Sequence, residues 1–430
     1  MIAMMDFLDS TSGTLIFTGI LLALYLIYCY IVRPLNRIVK LGDLGFYFGE
    51  PKPPKDYMNM LIERMKKLRV LGDLPPVFPN GWYCIAESSE LKPKQIKPVT
   101  FMGQNLTLFR GDSGSVHLLD SYCPHLGANF NIGGRIVDNN CIQCPFHGWI
   151  FSGETGKCTR IPYSPSDKIP SKAAVSVWPI IERNCHIYVW YHCDGIDPTW
   201  HIPIIPEAES GEWKYKGRTN HEIMCHIQEI PENGADIAHL NYLHLAGVNE
   251  GNDITRIKMD KTEPLIKHIW NGRWEPEDEP NKHSATMYLK QYMTFLGIQI
   301  PLTYTDLKAV QIGPGIVHMH LDFGFVGRGI VMQHITPEDA VQQRARFVMF
   351  AKTTAAFAKF YLLSEANHFE RDVYIWTNKR YVKNPLYCKD DGPISKHRRW
   401  FSQFYTDNSP KLNKDGTLTN TPKSINDNDW

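Results

Sequence analysis

Cys123-Pro-His125-Leu-Gly127 and Cys144-Pro-Phe-His147-Gly-Trp149 stand with eighteen residues between His125 and Cys144. Each stretch offers one thiolate and one imidazole on a short loop. Two cysteines and two histidines also make a tetrahedral zinc set, but zinc motifs usually keep like ligands together as a Cys pair and a His pair. Here each loop mixes the two, as a two-iron centre requires when cysteines hold one iron and histidines the other. Gly127, Gly148 and Trp149 fit the same reading. The pair of loops therefore points to a 2Fe–2S cluster held by Cys123, His125, Cys144 and His147, and to electron transfer.

A mixed cluster of this kind is a Rieske centre, and two non-ligand positions bear on its class. In respiratory-chain Rieske proteins a disulfide ties the loops together, through a cysteine after the first loop's glycine and another beside the second ligand cysteine. Ala128 and Pro145-Phe146 occupy those places. An oxygenase-type centre remains, and it calls for a mononuclear iron site downstream.

Glu232-Asn-Gly-Ala-Asp236-Ile-Ala-His239-Leu-Asn-Tyr-Leu-His244 supplies two imidazoles for one. Two histidines and a carboxylate form the facial triad of non-haem Fe(II) oxygenases, with open positions for O2 and substrate. Five residues apart, His239 and His244 would point about 140° away from each other on an ideal helix. The helix must bend or end there if both are to reach one metal. Asp236, one turn before His239, is placed to accept its ring N–H. The third ligand is expected from Glu365-Ala-Asn-His368-Phe-Glu370-Arg-Asp372-Val-Tyr-Ile-Trp376. Spacing leaves Glu365, Glu370 and Asp372 open, with at least two of them expected to be solvated surface charges.

Together these motifs resemble the Rieske non-haem iron oxygenases, in the branch of the 3-ketosteroid 9α-hydroxylases and animal cholesterol 7-desaturases, from about Trp82 to Tyr381. The resemblance implies that Cys123, His125, Cys144 and His147 bind the cluster and that His239, His244 and Asp372 bind iron. It also implies a head-to-tail homotrimer in which Asp236 bridges towards His147 of a neighbouring copy, carrying electrons between subunits. An α+β chain is expected, with a small antiparallel β Rieske domain over 81–195. A helix-grip (START-like) catalytic domain is expected over 196–392. The chain shows no flavin or nicotinamide fingerprint, since Gly324-Phe-Val-Gly327-Arg-Gly329 has the wrong glycine spacing. Electrons are therefore expected from a separate reductase, and the resemblance implies NAD(P)H as the ultimate donor, with or without a ferredoxin. The implied reaction is O2-dependent conversion of cholesterol to 7-dehydrocholesterol, with steroid hydroxylation as the alternative. From another class, a membrane Rieske electron-transfer subunit would need the cluster and no second iron.

Gly13 to Val32 is twenty uncharged, mostly apolar residues, long enough to cross a bilayer as a helix. Acids precede it and Arg33, Arg37 and Lys40 follow, so positive charge places the remainder in the cytosol. A single-pass anchor over 1–40 is expected, with the endoplasmic reticulum as the membrane. A cleaved signal peptide fits less well, lacking a basic n-region. Residues 41–80 read as a juxtamembrane helix and linker, with Met60 to Arg69 mixing basic and apolar residues as either an interfacial helix or an ordinary solvated one does. Residues 393–430 read as a polar tail, disordered over about its last twenty residues. A net charge of +1 gives no sign of a nucleic-acid partner. Beyond the two cluster cysteines, eight others are scattered like reduced thiols, and Cys141 of Cys141-Ile-Gln-Cys144 reads as a packing residue.

Overall fold

The structure is a computed structural model that describes residues 11–424 apart from 50, 52, 165–167, 248, 249, 258–264 and 302. An apolar helix, α1 (Thr11–Ile27), continues through one wide turn, Tyr28–Val32. Its 19-residue stretch Thr14–Val32 has mean hydropathy 2.4 and is not buried in the protein.

Strands β2 (Gly81–Glu87) to β11 (His186–Tyr191) build the first folded unit from three small antiparallel sheets. The first cluster loop follows β5 (Val116–Asp120), and the second joins β7 (Cys141–Gln143) to β8 (Ile150–Ser152). Phe130, Ile142, Phe151 and Val175 pack beneath both loops, with Cys123 and Cys144 in the same cluster.

The second unit is a nine-stranded sheet that runs, in spatial order, β1 (Leu35–Val39), β12 (Lys214–Met224), β19 (Gln342–Lys352), β18 (Arg328–Asp339), β17 (Ile316–Asp322), β16 (Thr305–Ile312), β14 (Ser284–Phe295) and β13 (Ile266–Pro276), with β15 (Ile298–Gln299) paired to β14. Its strands show period-two patterning: in β16 (Thr305–Ile312), Leu307 and Ala309 are buried while Asp306 and Lys308 are exposed. A 24-residue helix, α4 (Ala355–Asn378), follows the Thr354 cap, whose hydroxyl accepts the Phe357 N–H. Ala358, Leu362, Phe369, Val373 and Trp376 recur on one face of α4 and share a core with the sheet residues Ile223, Phe347 and Met349. A long helix held against a sheet is the helix-grip arrangement expected above.

Three sequence readings need correction. Residues 35–39, placed in the anchor, form strand β1 (Leu35–Val39), which pairs in parallel with β12 (Lys214–Met224). Its Arg37 reaches α4, donating from Nε and Nη2 to Glu370 at 2.7 and 2.8 Å. The carboxylate of Glu370 is fully buried and also meets His221 Nε2 at 3.0 Å. An Arg37→Met change is expected to cost about 2 kcal/mol, since a buried carboxylate loses its cation but keeps two other partners. Urea unfolding measures it, and an unchanged midpoint would refute the pairing.

The second concerns α2 (Lys55–Leu68), read as either an interfacial or an ordinary solvated helix. It buries Ile62 against Phe46 and Met224, and Arg69 just after it donates to Trp376 O at 2.7 Å. It therefore sits at the C-terminal end of α4, whereas α1 ends beside Lys359, whose Nζ donates to Cys29 O and Tyr30 O at 3.0 Å. Seventeen residues of helix, about 26 Å, separate those two points. The third correction is the tail. Leu412 and Leu418 bridge each other and pack on the core, and Ser424 Oγ donates to Val177 O. Two leucines on a turn suffice to order a polar segment; residues 425–430 lie outside the described residues.

Candidate metal centres and substrate cavity

The two cluster loops close in the same way. In the first, Cys123 N–H donates to Ala128 O and Gly127 N–H to Cys123 O, both at 2.9 Å. In the second, Cys144 N–H donates to Trp149 O at 2.8 Å and Gly148 N–H to Cys144 O at 3.1 Å. Gly127 and Gly148 turn the chain at φ +71° and +74°, where a side chain would be strained. Cys123 and Cys144 are buried side by side, whereas His125 and His147 lie nearer the surface with ring centres 4.6 Å apart. Trp149 stacks on His125 at 4.7 Å.

This arrangement fits a two-iron cluster with its thiolate end inside and its imidazole end outside. Burial pushes the Cys123 thiol up to about 12 in the bare loops, so a cationic centre is what would make it a thiolate ligand. His147 Nδ1 is buried without a hydrogen-bond partner among the described residues, leaving its lone pair for a metal. No cysteine of the described residues is in a disulfide.

The downstream histidines lie on α3 (Ile237–Leu243) and at its end. His244 is the C-terminal cap residue, at φ −103° and ψ 10°, so the helix stops where the five-residue spacing requires. Asp372, in the C-terminal third of α4, places Oδ1 3.2 Å from His244 Nε2 and 3.9 Å from His239 Nε2. One donor atom from each of the three lies within 4.8 Å of the others, a set that could hold a metal ion.

The three candidate acids separate cleanly. Glu370 is turned to Arg37 and His221, and Glu365 faces a cavity, where burial pushes its carboxyl up to about 7. None is the solvated surface charge that helical spacing suggested, because α4 is packed on more than one side. Asp236 also differs from expectation. Its carboxylate caps α3 by accepting the His239 N–H at 3.2 Å, and its backbone carbonyl is what His239 Nδ1 meets. Its Oδ2 stands 3.8 Å from the ring, and the side chain stays 30% exposed. His239 is oriented all the same, with Nε2 towards Asp372.

Residues 81–179 match the Rieske [2Fe-2S] domain, and residues 189–405 match the 3-ketosteroid 9alpha-hydroxylase C-terminal domain. The chain is 56% identical over 409 residues to cholesterol 7-desaturase of Caenorhabditis elegans, covering 95% of each chain. It is 45% identical to the Xenopus laevis cholesterol 7-desaturase nvd over 89% of this chain and 83% of the relative. The chain belongs to the Rieske oxygenase family, in the branch of those relatives. Its fold matches dicamba monooxygenase bound to 3,6-dichlorosalicylic acid, with TM-score 0.57 at 18% identity, over 76% of this chain and 97% of that one. As a Rieske oxygenase it is an oxygen-dependent oxidoreductase, and its family uses a 2Fe–2S cluster with non-haem iron.

In this Rieske oxygenase the three-donor set forms part of the wall of a cavity of about 1000 Å³, mouth included. Its other walls come from Trp270, Trp274, Met287, Leu289, Leu307, Met319 and Phe347, between the sheet and α4. A predominantly apolar wall with a few polar groups suits a small apolar ligand.

Sequence reasoning missed three residues that support the donors. His368 and His268 stack behind His244, with His268 Nδ1 3.3 Å from His368 Nε2, and burial holds both well below the usual histidine range. They are neutral spacers, and nothing in their spacing marks them. Arg371 is fully buried, and its guanidinium donates to the carbonyls of Ala246, Gly247 and Gly251 at 2.7 to 3.0 Å. It pins the segment after His244 to the helix that carries Asp372. The Glu-Arg-Asp run was quoted for its acids, and the arginine between them was the available signal.

Proposed function

We propose that this protein is a cholesterol 7-desaturase, converting cholesterol to 7-dehydrocholesterol with O2 and electrons from NAD(P)H. The observation that carries the reading is the convergence of His239, His244 and Asp372 on the wall of a large apolar cavity. The names of the relatives supply the substrate and outcome. In this reading Cys123, Cys144, His125 and His147 hold the cluster, and His239, His244 and Asp372 hold the mononuclear iron. When bound, these groups supply single electrons and activate O2 for removal of hydrogen from unactivated C–H bonds.

The chain's own residues set the conditions for that chemistry. Trp270, Leu289 and Phe347 hold the sterol's apolar body and exclude water, while Asp236 fixes His239 with Nε2 inward. The partly exposed Asp236 carboxylate remains available to meet His147 of a neighbouring copy in a head-to-tail homotrimer. Electrons reach the cluster from a separate NAD(P)H-dependent reductase, with or without a ferredoxin. Thr14–Val32 anchors the enzyme in a membrane, taken as the endoplasmic reticulum, with both folded units in the cytosol.

Given cholesterol in vesicles, O2 and a reductase system, the protein is expected to yield a product two hydrogens lighter that carries a conjugated-diene absorbance. A product one oxygen heavier would move the reading to steroid hydroxylation, which the 9alpha-hydroxylase-type domain would support. Unchanged sterol would reject both. An Asp236→Asn protein is expected to keep both metals and turn over about 10-fold to 100-fold more slowly, the range for a partner that orients a ligand. Stopped-flow reoxidation of the cluster measures this, and a normal rate would exclude the bridge.

A further inference from the structure

A second cavity, of about 760 Å³ with its open mouth included, adjoins the first. The two share Gln291, Glu365 and His368, which form a polar collar between them. Beyond the collar the lining turns aromatic, with Phe323, Phe357, Phe360 and Tyr361, and then reaches Val326 at the end of the sheet.

Strand register brings three exposed apolar segments to that end. Phe295 pairs with Ile298 at a hairpin tip and with Ile266 on the next strand. Asp322 pairs with Arg328 across the turn that carries Phe325, and Arg328 pairs with Lys352 just before α4. Phe325 is 81% exposed, Ile298 75% and Leu296 65%, with Phe295 and Phe360 also largely open. A soluble protein seldom leaves such a set of large apolar side chains together in water.

The neighbouring element identifies what covers them. Lys359, one residue before Phe360, donates to the carbonyls of Cys29 and Tyr30 at the end of the apolar helix. That contact satisfies two backbone acceptors that a helix end leaves open and fixes where Thr14–Val32 meets the folded unit. A bilayer holding that helix would begin beside Phe360.

We propose that this rim sits in the bilayer and that the second cavity is the chamber through which the sterol enters from the membrane. The proposal rests on the membrane-bound sterol oxidation put forward above. The sterol leaves the lipid between Phe325 and Phe360, passes the collar and arrives at the wall of His239, His244 and Asp372 without crossing water. The α2 helix, some 26 Å along α4, is then held away from the lipid.

The test uses the full chain in phosphatidylcholine vesicles whose acyl chains carry a nitroxide quencher. A genetically encoded fluorescent amino acid replaces Phe325, Leu22 or Leu386 in turn. Blue-shifted emission quenched by more than half is expected at positions 325 and 22, and none at 386, a fully exposed site remote from the rim. Quenching at 22 without quenching at 325 overturns the docking alone; no quenching at 22 overturns the membrane reading beneath it. Blue-shifted emission at 325 without quenching would mean that another copy of the chain covers the rim, which also overturns the proposal. None of these readouts needs turnover, so a docked protein that leaves cholesterol unchanged rejects the activity and not the docking. For the chamber, Val326→Trp is expected to lower kcat/KM for bilayer cholesterol about tenfold, and an unchanged value would exclude this route.

Discussion

A Cys144→Ser protein is expected to lose the Rieske visible and EPR signatures, two irons per chain and all sterol turnover. Cys144 is buried, its loop is closed by its own N–H and carbonyl, and its sulfur lies beside that of Cys123. A serine hydroxyl is smaller and far less acidic, so it supplies neither the charge nor the reach of a thiolate. Cys144 packs in a cluster apart from the core that includes the catalytic sheet, so folding of that sheet is expected to survive, with circular dichroism as the check. An unchanged cluster spectrum would remove Cys144 from the ligand set.

The Asp372→Ala protein separates the two centres. It should keep the cluster and its spectrum while falling from three irons per chain to two, with turnover at background. Asp372 Oδ1 is the atom that stands between the two imidazoles, and no neighbouring acid can replace it from its present position. Glu370 is held by Arg37, and Glu365 is two helical turns away and linked to Tyr361. Full retention of the third iron would transfer the role to Glu365. An intermediate case is Arg371→Leu: five donations to carbonyls disappear, at a cost of about 3 kcal/mol. Weaker iron binding with a retained cluster is expected there, because the released segment follows His244 directly.

Residue types and short spacings made much of the site legible. The mixed loops announced a two-iron centre because four donors of two kinds fall within short sequence windows. The Asp-x-x-His-x4-His run announced a break in helix α3, and His244 is where that helix ends. What remained closed to sequence reasoning depended on long-range packing. Whether Glu365, Glu370 or Asp372 faces the histidines turns on which side of α4 meets strand β1, and β1 lies more than three hundred residues earlier, beside the apolar helix. Its short run Leu-Asn-Arg-Ile-Val was overshadowed by the hydrophobic stretch before it. His268 and His368 show no motif because packing behind His244 obeys no sequence spacing. The tail looked unfolded because its few apolar residues are scattered, yet Leu412 and Leu418 meet across a turn.

The most direct test of the account is a single turnover. Protein with its cluster fully reduced, holding cholesterol and no reductase, is exposed to O2 and quenched while the cluster is followed by absorbance. The account predicts that diene product and cluster oxidation appear together, and that His244→Ala protein, its cluster intact, forms no product. Diene formed while the cluster stays reduced, or formed by the His244→Ala protein, would contradict it.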